Sequence, residues 1–269
     1  MLQFRFAARS ETGRVRTNNE DAGFAGPYLL CVADGVGGAE AGEVASATTS
    51  YVVSARSLAH PGHEPARLLG AATREAHAQL AAGIAADPRR TGMATTLTAL
   101  LTDGIHTALA HVGDSRAYLL REGELSQLSH DQTLVQSMVD DGQLTPAQAA
   151  VSPYRNVVLH AVDGEHVPDP DLLLLDLRPG DRLLLCSDGL TDVLSPAAIA
   201  LGLGLDSRTM AVDRLVLAAL DGGSRDNVTA IVADVVDAPA IAANGQVLGA
   251  AVDLANVVDP AAVRPLRSA

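Results

Sequence analysis

Two apolar runs in the chain end on the same pair of residues, an aspartate followed by a glycine. They are LLCVADGVGG at residues 29–38 and LLLCSDGL at residues 183–190. Asp-Gly pairs favour tight turns, because glycine accepts positive φ and aspartate hydrogen-bonds its own backbone. The chain has six of them, at Asp34, Asp103, Asp141, Asp163, Asp188 and Asp221. We interpret four as turns, but Asp34 and Asp188 stand just beyond buried-strand patterns, where a carboxylate can do chemistry.

Other acidic residues occupy comparable positions. They stand at a turn or directly before a strand: Asp114 in HVGDSRAY, Asp226 in SRDNVTAIV, and Glu20 and Asp21 in RTNNEDAG. Hairpin connections bring strand ends to one edge of a sandwich, so we expect these carboxylates to converge with Asp34 and Asp188. Like charges in a small volume raise one another's pKa unless a cation is present. Oxygen ligands suit Mg²⁺ or Mn²⁺ better than zinc, and two such ions can lower the pKa of a shared water and clamp an in-line displacement.

Hydropathy patterns predict the elements that position these residues. Apolar runs predict strands at LQFRFAA, YLLCVA, LLLLDL, DRLLLCS and VTAIVADVV, and a four-stranded antiparallel meander in TTLTALLTDGIHTALAHVGDSRAYLLREGELSQLS. Helical spacing predicts two consecutive helices, AGEVASATTSYVVSARSLA and ARLLGAATREAHAQLAAGI, and a later one around RTMAVDRLVLAAL. TLVQSMVDDG and TPAQAAV predict short helices, the second capped by Thr145 with Pro146 in its first turn.

This order of elements predicts an α+β fold with a central antiparallel β-sandwich flanked by paired α-helices on both faces. The continuous apolar strands predict sheets that are covered on both faces. We see no internal boundary, so residues 1–237 are expected to form a single domain. The Ala-rich C-terminal tail, residues 238–269, is expected to be a loosely attached appendage.

Composition limits the class of protein further. The chain has 269 residues, 48% of them hydrophobic and 3% aromatic, so it can bury a core built from Leu, Val and Ala. The net charge is −13 and all 19 basic residues are arginine, which argues against nucleic-acid or membrane-surface binding. Cys31 and Cys186 are expected to be reduced core thiols. MLQFRFAARSE does not have the pattern of a signal peptide, and no run of about 18 apolar residues exists, so we expect a cytoplasmic protein.

Six motifs together carry a resemblance to a known family. ETGRVRTNNED, VADGVGG, GMATTLTALL, HVGDSRAYLL, SDGLTDVL and SRDNVTAIVADV, in this order, closely resemble the metal-dependent serine/threonine protein phosphatases of type 2C, the PPM family, in its bacterial branch. The match covers about residues 2–237. The family fold is a β-sandwich with paired helices on each outer face, which agrees with the fold predicted from the patterns.

The resemblance implies roles for the acidic residues around two Mn²⁺ or Mg²⁺ ions. The ligands that it implies are Asp34 bridging both ions, the Gly35 carbonyl on one, Asp188 and Asp226 on the other, and Glu20 and Asp21 holding metal-bound waters or contributing directly. Asp114, alongside Asp188, would help to hold a third, weaker ion. Arg16 would grip the substrate phosphate, since a guanidinium pairs bidentately with phosphate oxygens. The catalytic residues implied are Arg16 and Asp34.

The activity implied is hydrolysis of phosphoserine and phosphothreonine in proteins by a metal-bridging hydroxide, without a covalent intermediate. Val36 stands where many eukaryotic members have a histidine, so a water is expected to protonate the leaving group. The sequence does not fit two other phosphatase chemistries. Neither cysteine is followed six residues later by an arginine, and Asp-Gly-Val replaces the Asp-x-Asp of haloacid-type enzymes.

Several polar residues near the motifs are interpreted as structural. His111, His160 and His166 are expected to be ordinary core or surface histidines, and His130 in SHDQT is given no catalytic role. Thr95 and Thr96 are expected to brace a strand rather than to contact substrate.

Three classes of function are compatible with the sequence. The first is an active phosphatase that acts on phosphorylated proteins and opposes a bacterial serine/threonine kinase in signal transduction. The second is a non-catalytic regulator that binds phosphoproteins on the same fold, against which the retained acidic residues and Arg16 argue. The third is a phosphatase of an anti-sigma-factor antagonist or of a small phosphomonoester. A monomer is expected in each case.

The segment of residues 132–164 matches the flap that lies beside the active site in this family. It is predicted to contain two short helices and a return loop. Because the flap sequence varies with substrate, the segment could set specificity. The alternative is a packing subdomain without a role in recognition.

Overall fold

The computed structural model describes residues 1–36 and 41–263, in which twelve strands and seven α-helices form. The strands are β1 (Leu2–Glu11), β2 (Asp21–Ala25), β3 (Leu29–Val36), β4 (Ala94–Thr95), β5 (Leu97–Thr102), β6 (Thr107–Val112), β7 (Arg116–Arg121), β8 (Glu124–Gln127), β9 (Asp171–Leu175), β10 (Arg182–Cys186), β11 (Val228–Asp237) and β12 (Gln246–Gly249). The helices are α1 (Gly42–Leu58), α2 (Pro65–Ala86), α3 (Leu134–Asp140), α4 (Pro146–Ala150), α5 (Asp188–Thr191), α6 (Pro196–Leu203) and α7 (Arg208–Asp221). The Gly-Gly end of the VADGVGG motif and the last six residues of the tail lie outside the described residues.

The strands form two antiparallel sheets that pack face to face. The strand order is β1-β11-β10-β7-β8 in the first sheet and β12-β2-β3-β5-β6-β9 in the second, where β4 also pairs with β3. Helices α1 and α2 cover the second sheet, and α6 and α7 cover the first. The predicted α+β sandwich with paired helices on both faces is therefore confirmed. Among the helices of the described residues, none has the length and apolarity that crossing a bilayer requires.

Alternate residues of the central strand β10 supply two separate cores. Leu183 and Leu185 are buried between the sheets, whereas Leu184 and Cys186 pack against the helices. Successive side chains point to opposite faces of a strand, so a strand covered on both faces must be apolar throughout. A carboxylate can therefore be placed only beyond the end of β10, and the first one that follows the strand is Asp188.

The predicted four-stranded meander is wrong in one respect, because its strands divide between the two sheets. Strands β5 and β6 pair with each other in the second sheet, but β7 and β8 belong to the first. The chain changes sheets at the turn that carries Asp114. There Gly113 has a φ of +101°, and a Cβ on it would lie 2.6 Å from Thr96 Cγ2. Local alternation predicts a strand but not its sheet, since sheet membership depends on long-range pairing.

Strand β9 and three short elements also differ from expectation. The LLLLDL run is predicted to be covered on both faces, but β9 lies at a sheet edge, and Leu172, Leu173 and Leu174 are 41%, 44% and 70% exposed. The sequence patterns do not predict β2, α6 and β12. These elements are short and rich in small residues, so they show no clear period.

The tail packs closely on the domain, and the expectation of a loosely attached appendage is wrong. Strand β12 pairs antiparallel with β2. Beyond it, Ala250, Ala251 and Val257 are buried against α1, and the Tyr51 hydroxyl donates a 3.1 Å hydrogen bond to the Pro260 carbonyl. The tail thus completes an edge of the second sheet that would otherwise be unpaired. The division into a catalytic domain of residues 1–237 and a tail stays a prediction.

Truncation of the chain after Asp237 is expected to lower the free energy of unfolding by about 3 kcal/mol. The lost burial of Leu248, Ala250 and Val257 is partly offset by the conformational entropy that ordering the tail costs. The midpoint of urea denaturation measures the change. Truncation after Val263, which keeps all three buried side chains, is the control. Equal midpoints for the two shortened chains would contradict a packed tail.

Candidate active site

Asp34 lies near the end of β3, with its backbone held on both sides. Its N–H donates to Thr96 Oγ1 at 3.0 Å. Its carbonyl accepts 2.9 Å hydrogen bonds from the Thr96 N–H and from the Thr95 hydroxyl. The Thr96 hydroxyl also lies 2.6 Å from Ser115 Oγ. Both threonines brace the sheet, as expected, and the residue whose position they fix is Asp34.

Asp21 lies directly opposite Asp34, as its antiparallel partner in β2. It is 1% exposed, and its Oδ2 accepts a 2.7 Å hydrogen bond from Ser187 Oγ. Its Oδ1 is buried and meets no donor in hydrogen-bonding geometry. Burial raises the pKa of Asp21 to about 6, and the Thr229 hydroxyl and then the Ser187 hydroxyl oppose that rise. Because Ser187 precedes Asp188, one hydrogen bond joins β2 to the end of β10.

Five aspartates act on one another at this edge of the sandwich. The pKa of Asp34 is raised well above its ordinary value, first by burial and then by the charges of Asp21, Asp188, Asp114 and Asp226. Burial and the Asp114 charge raise the pKa of Asp188 in the same way. Burial also raises the pKa of Asp114 to about 6. The structure therefore brings together the aspartates whose positions predicted convergence.

Glu20 and Gly35 reach the same edge through their backbones. The Gly35 N–H donates to the Glu20 carbonyl at 3.1 Å. A Cβ at position 35 would lie 2.4 Å from the Gly42 carbonyl oxygen and 2.6 Å from that of Glu20, so only glycine fits between them. Asn18 Nδ2 donates to Glu20 Oε1 at 3.2 Å. The backbones of Glu20 and Gly35 therefore pair beside Asp34, while the Glu20 carboxylate contacts Asn18.

Arg16 lies against the acidic residues on their solvent side. Its Nη2 donates to Asp226 Oδ2 at 2.7 Å, and its side chain is 48% exposed. The pKa of Arg16 is raised, first by this hydrogen bond, with the charges of Asp226, Glu20 and Asp34 acting in the same direction. The guanidinium is thus within electrostatic reach of three carboxylates that the sequence predicts to be metal ligands.

The donor set fits hard divalent cations. Carboxylate and carbonyl oxygens are the ligands that Mg²⁺ and Mn²⁺ prefer, and the unpartnered, buried Oδ1 of Asp21 is an oxygen that a cation would satisfy. In residues 1–36 and 41–263, no group of three or more His, Cys, Asp or Glu side chains is arranged so that it could hold a metal ion as it stands. Asp226 bonds instead to Arg16 and to the Asn227 N–H. Which oxygens bind which ion therefore stays a prediction.

The histidines and cysteines that the sequence analysis set aside make other contacts. His130 Nε2 lies 2.8 Å from Asp140 Oδ2. His111 is buried, and burial lowers its pKa, so it is neutral near pH 7. Cys31 and Cys186 are free and fully buried, and burial raises the pKa of both thiols to about 12. These thiols are inert in the folded protein, as expected.

The structure adds Asp192 and Asn227 to the site, although the sequence analysis gives neither a role. The Asp192 N–H donates to the Asp188 carbonyl at 2.8 Å, one helical turn away. After burial and Asp114, the Asp192 charge is the next contribution to the raised pKa of Asp188. The i, i+4 spacing in SDGLTDVL is a signal that could have found Asp192. Asn227 carries no such local signal, because its side-chain partners are distant in sequence.

Helices α3 and α4 form within residues 132–164 as predicted, and α4 begins with the expected Thr145 cap. The segment contacts the site at Asp192. Asn156 Nδ2 donates to Asp192 Oδ2 at 3.1 Å, and Arg155 Nη2 lies 3.4 Å from the same oxygen. The segment is therefore placed beside the acidic residues. Its action as a flap that selects substrates stays a prediction.

Comparison with known proteins agrees with this geometry. The sequence model of the protein phosphatase 2C family matches residues 14–209. The serine/threonine protein phosphatase PstP of Mycobacterium tuberculosis is 47% identical over 241 residues, which are 88% of this chain and 46% of PstP. The serine/threonine phosphatase stp of Listeria innocua is 31% identical over 244 residues, 84% of this chain and 94% of stp. A crystal structure of the PstP catalytic domain in complex with two manganese ions gives a TM-score of 0.82 at 45% identity, over 88% of this chain and 100% of that chain.

The fold is that of a type 2C phosphatase, and the chain belongs to the protein phosphatase 2C family. It spans about half the length of the PstP relatives that it matches, and nearly all of the listerial phosphatase.

Proposed function

We propose that the chain is a metal-dependent phosphatase that hydrolyses phosphoserine and phosphothreonine in proteins and opposes a bacterial serine/threonine kinase. The observation that carries the proposal is the convergence of five aspartates beside Arg16 at one edge of the sandwich. The names of the relatives, all serine/threonine or protein phosphatases, support it. A non-catalytic regulator would have no use for a cluster of carboxylates that is costly to bury.

The oxygens at this edge would hold Mn²⁺ or Mg²⁺. The residues proposed for two ions are Glu20, Asp21, Asp34, Gly35, Asp188 and Asp226, and those for a third are Asp114 and Asp188. When bound, such ions lower the pKa of a water and neutralise charge on a transferring phosphoryl group. The two manganese ions in the PstP structure support this number of sites.

Arg16 is proposed to orient the substrate phosphate. Its partner in the structure, Asp226, is itself 37% exposed, so the guanidinium can exchange this carboxylate for phosphate oxygens. The planar fork offers paired N–H donors that match two of those oxygens. Asp34 is held through its backbone by Thr95 and Thr96, so its carboxylate is preorganised for the reaction. Val36 has no proton to give, and the leaving alkoxide takes its proton from water.

We further infer that the domain works as a cytoplasmic monomer on signalling phosphoproteins, without binding nucleic acid or membrane surfaces. The free, buried thiols and the net charge of −13 support this inference. An anti-sigma-factor antagonist or a small phosphomonoester would use the same site. Profiling a panel of phosphorylated substrates separates these possibilities.

The test of the proposed activity is phosphate release from a phosphothreonine peptide by metal-stripped protein. We expect release with Mn²⁺ or Mg²⁺ and none with a chelator. Arg16→Ala is expected to lower kcat/KM by about 100-fold, because it removes a bidentate donor to the phosphoryl oxygens. Arg14→Ala, whose side chain pairs with exposed Asp221, is the control and should retain activity. Folded wild-type protein that binds Mn²⁺ but hydrolyses none of several phosphopeptides would favour the regulator.

A further inference from the structure

We propose that Asn227 is a positioning residue that fixes the loop carrying Arg16, and that the affinity of the site for phosphate depends on its carboxamide. Residues 12–18, called here the Arg16 loop, make up most of the connection from β1 to β2. The proposal rests on the proposed function, in which Arg16 binds phosphate.

The Asn227 carboxamide ties together both ends of the Arg16 loop. Its Nδ2 donates to the Thr12 carbonyl at 2.8 Å and to the Asn18 carbonyl at 2.9 Å. Its Oδ1 accepts a 2.8 Å hydrogen bond from the Glu20 N–H. Asn227 is 4% exposed, so these three bonds are largely shielded from water. One side chain therefore closes the loop and also holds the first acidic residue that follows it.

The middle of the loop has weaker anchors. Val15 is 55% exposed. The ion pair of Arg14 with Asp221 joins side chains that are 62% and 69% exposed, where such pairs contribute little stability. Arg16 itself is bound through Asp226, the contact that phosphate would replace. The buried carboxamide is thus the strongest side-chain anchor that the structure shows for the loop.

The loop also packs directly against the residue that precedes Asn227. Gly13 has a φ of +83°, and a Cβ on it would lie 2.4 Å from the Asp226 carbonyl oxygen. The backbone of the loop is therefore seated on the Asp226 backbone, while the Asn227 carboxamide holds the two loop ends. This arrangement keeps the Arg16 guanidinium within hydrogen-bonding distance of the Asp226 carboxylate.

Asparagine is the residue type that this geometry needs. The two Nδ2 hydrogens satisfy two carbonyls, and the single oxygen satisfies one N–H. Aspartate has nearly the same shape and keeps the acceptor for the Glu20 N–H, but it has no donor and would set a negative charge against two carbonyl oxygens. Alanine removes all three bonds. Comparison of the two variants therefore separates the effect of losing the Nδ2 donors from the effect of losing the Oδ1 acceptor.

A double-mutant cycle tests whether Asn227 acts through Arg16. The readout is the inhibition constant of inorganic phosphate, measured with a small aryl phosphate as substrate in Mg²⁺, for Asn227→Ala and Arg16→Ala separately and together. We expect Asn227→Ala to raise the constant about 10-fold in the wild-type background and less than about 2-fold when Arg16 is already alanine. An equal increase in both backgrounds would overturn the proposal.

Hydrogen exchange gives a readout that does not need turnover. Peptides covering residues 12–20 should exchange faster in Asn227→Ala and Asn227→Asp than in the wild type, while peptides from β3 and β10 keep their protection. If Asn227→Ala fails to fold, Asn227→Asp replaces it in the cycle. Wild-type protein whose Arg16 loop exchanges as fast as a free peptide would overturn the proposal that Asn227 fixes this loop.

Asn256→Ala is the matched control. Asn256 also donates a side-chain hydrogen bond, at 2.9 Å, to a backbone carbonyl, that of Ala250 in the tail. It should change neither the phosphate constant nor exchange in residues 12–20. If the wild type hydrolyses no phosphopeptide, the proposed function fails, whereas the exchange experiment still decides whether Asn227 holds the loop.

Discussion

Replacement of Asp34 by asparagine is expected to abolish phosphate release and, at the same time, to stabilise the metal-free protein. Asp34 is proposed to bridge two ions, so the loss of its charge should lower kcat/KM by at least about 1,000-fold. Its pKa is raised well above the ordinary value by burial and by four neighbouring aspartates, which means that its charged form is disfavoured in the fold. A neutral side chain of the same shape removes that cost, so at pH 7.5 the metal-free variant should unfold at a higher urea concentration than the wild type. Phosphopeptide assays and urea denaturation in chelator measure the two effects.

Asp163→Asn is the control for this substitution, because Asp163 also begins an Asp-Gly pair. Its Oδ1 accepts hydrogen bonds from the Glu165 and His166 N–H groups, both at 2.8 Å, which is the ordinary turn role. An asparagine oxygen can accept the same bonds, so activity should be unchanged. If Asp34→Asn lowers activity and raises stability whereas Asp163→Asn changes neither, the charge of Asp34 serves the site at a cost in stability to the metal-free fold. Destabilisation of the metal-free Asp34→Asn protein would contradict this account.

The metal-free protein is also expected to lose stability as the pH rises from about 4 to 7, and Mn²⁺ to restore it. Burial raises the pKa of Asp21 and of Asp114 from 3.8 to about 6. A carboxyl whose pKa is raised on folding binds its proton more tightly in the folded state. Its contribution is therefore fully present below about pH 4 and is lost as the pH rises through about 6. Each shift corresponds to a loss on the order of 3 kcal/mol.

Two measurements check this pH dependence. Urea denaturation of chelator-treated protein at pH 4.5, 5.5 and 6.5 should give falling midpoints. Calorimetric titration of Mn²⁺ at pH 6, in two buffers of different ionisation enthalpy, should show release of about one proton or more per protein, because ligand carboxylates must ionise. Arg16→Ala should leave the proton count nearly unchanged. Mn²⁺ binding without proton release would show that the carboxylates are already ionised in the metal-free fold.

The parts of the fold that the sequence predicts well are those governed by local pattern. The apolar runs before Asp34 and Asp188 predict strands buried on both faces, and a charged residue at the end of such a strand has to lie at a sheet edge. These strand patterns alone predict that the carboxylates lie near one another. The metal type follows from the same residues, since all the candidate donors are oxygens. Assignment of individual roles required the family resemblance.

What the sequence does not predict depends on contacts between distant segments. A local strand pattern predicts neither the membership of β7 in the first sheet nor the pairing of β12 with β2, because both depend on tertiary contacts. The role of Asn227 cannot be predicted from local sequence either, because its three hydrogen-bond partners lie more than 200 residues earlier in the chain. Asp192 differs, since its spacing from Asp188 is helical and could have been used.

The pairing of the first strand, β1, with β11 near the other end of the chain has a consequence for the order of folding. Strand β1 pairs with β11 from Leu2 opposite Asp237 to Glu11 opposite Val228, and it lies at the edge of its sheet with β11 as its neighbour. Asp21 and Asp34 meet in a local hairpin, but Asp188 and Asp226 arrive only with the final strands. During synthesis, β1 cannot pair with β11 until nearly the whole domain has left the ribosome. The acidic residues therefore come together late, and a growing chain can complete the proposed metal site only after β11 has emerged.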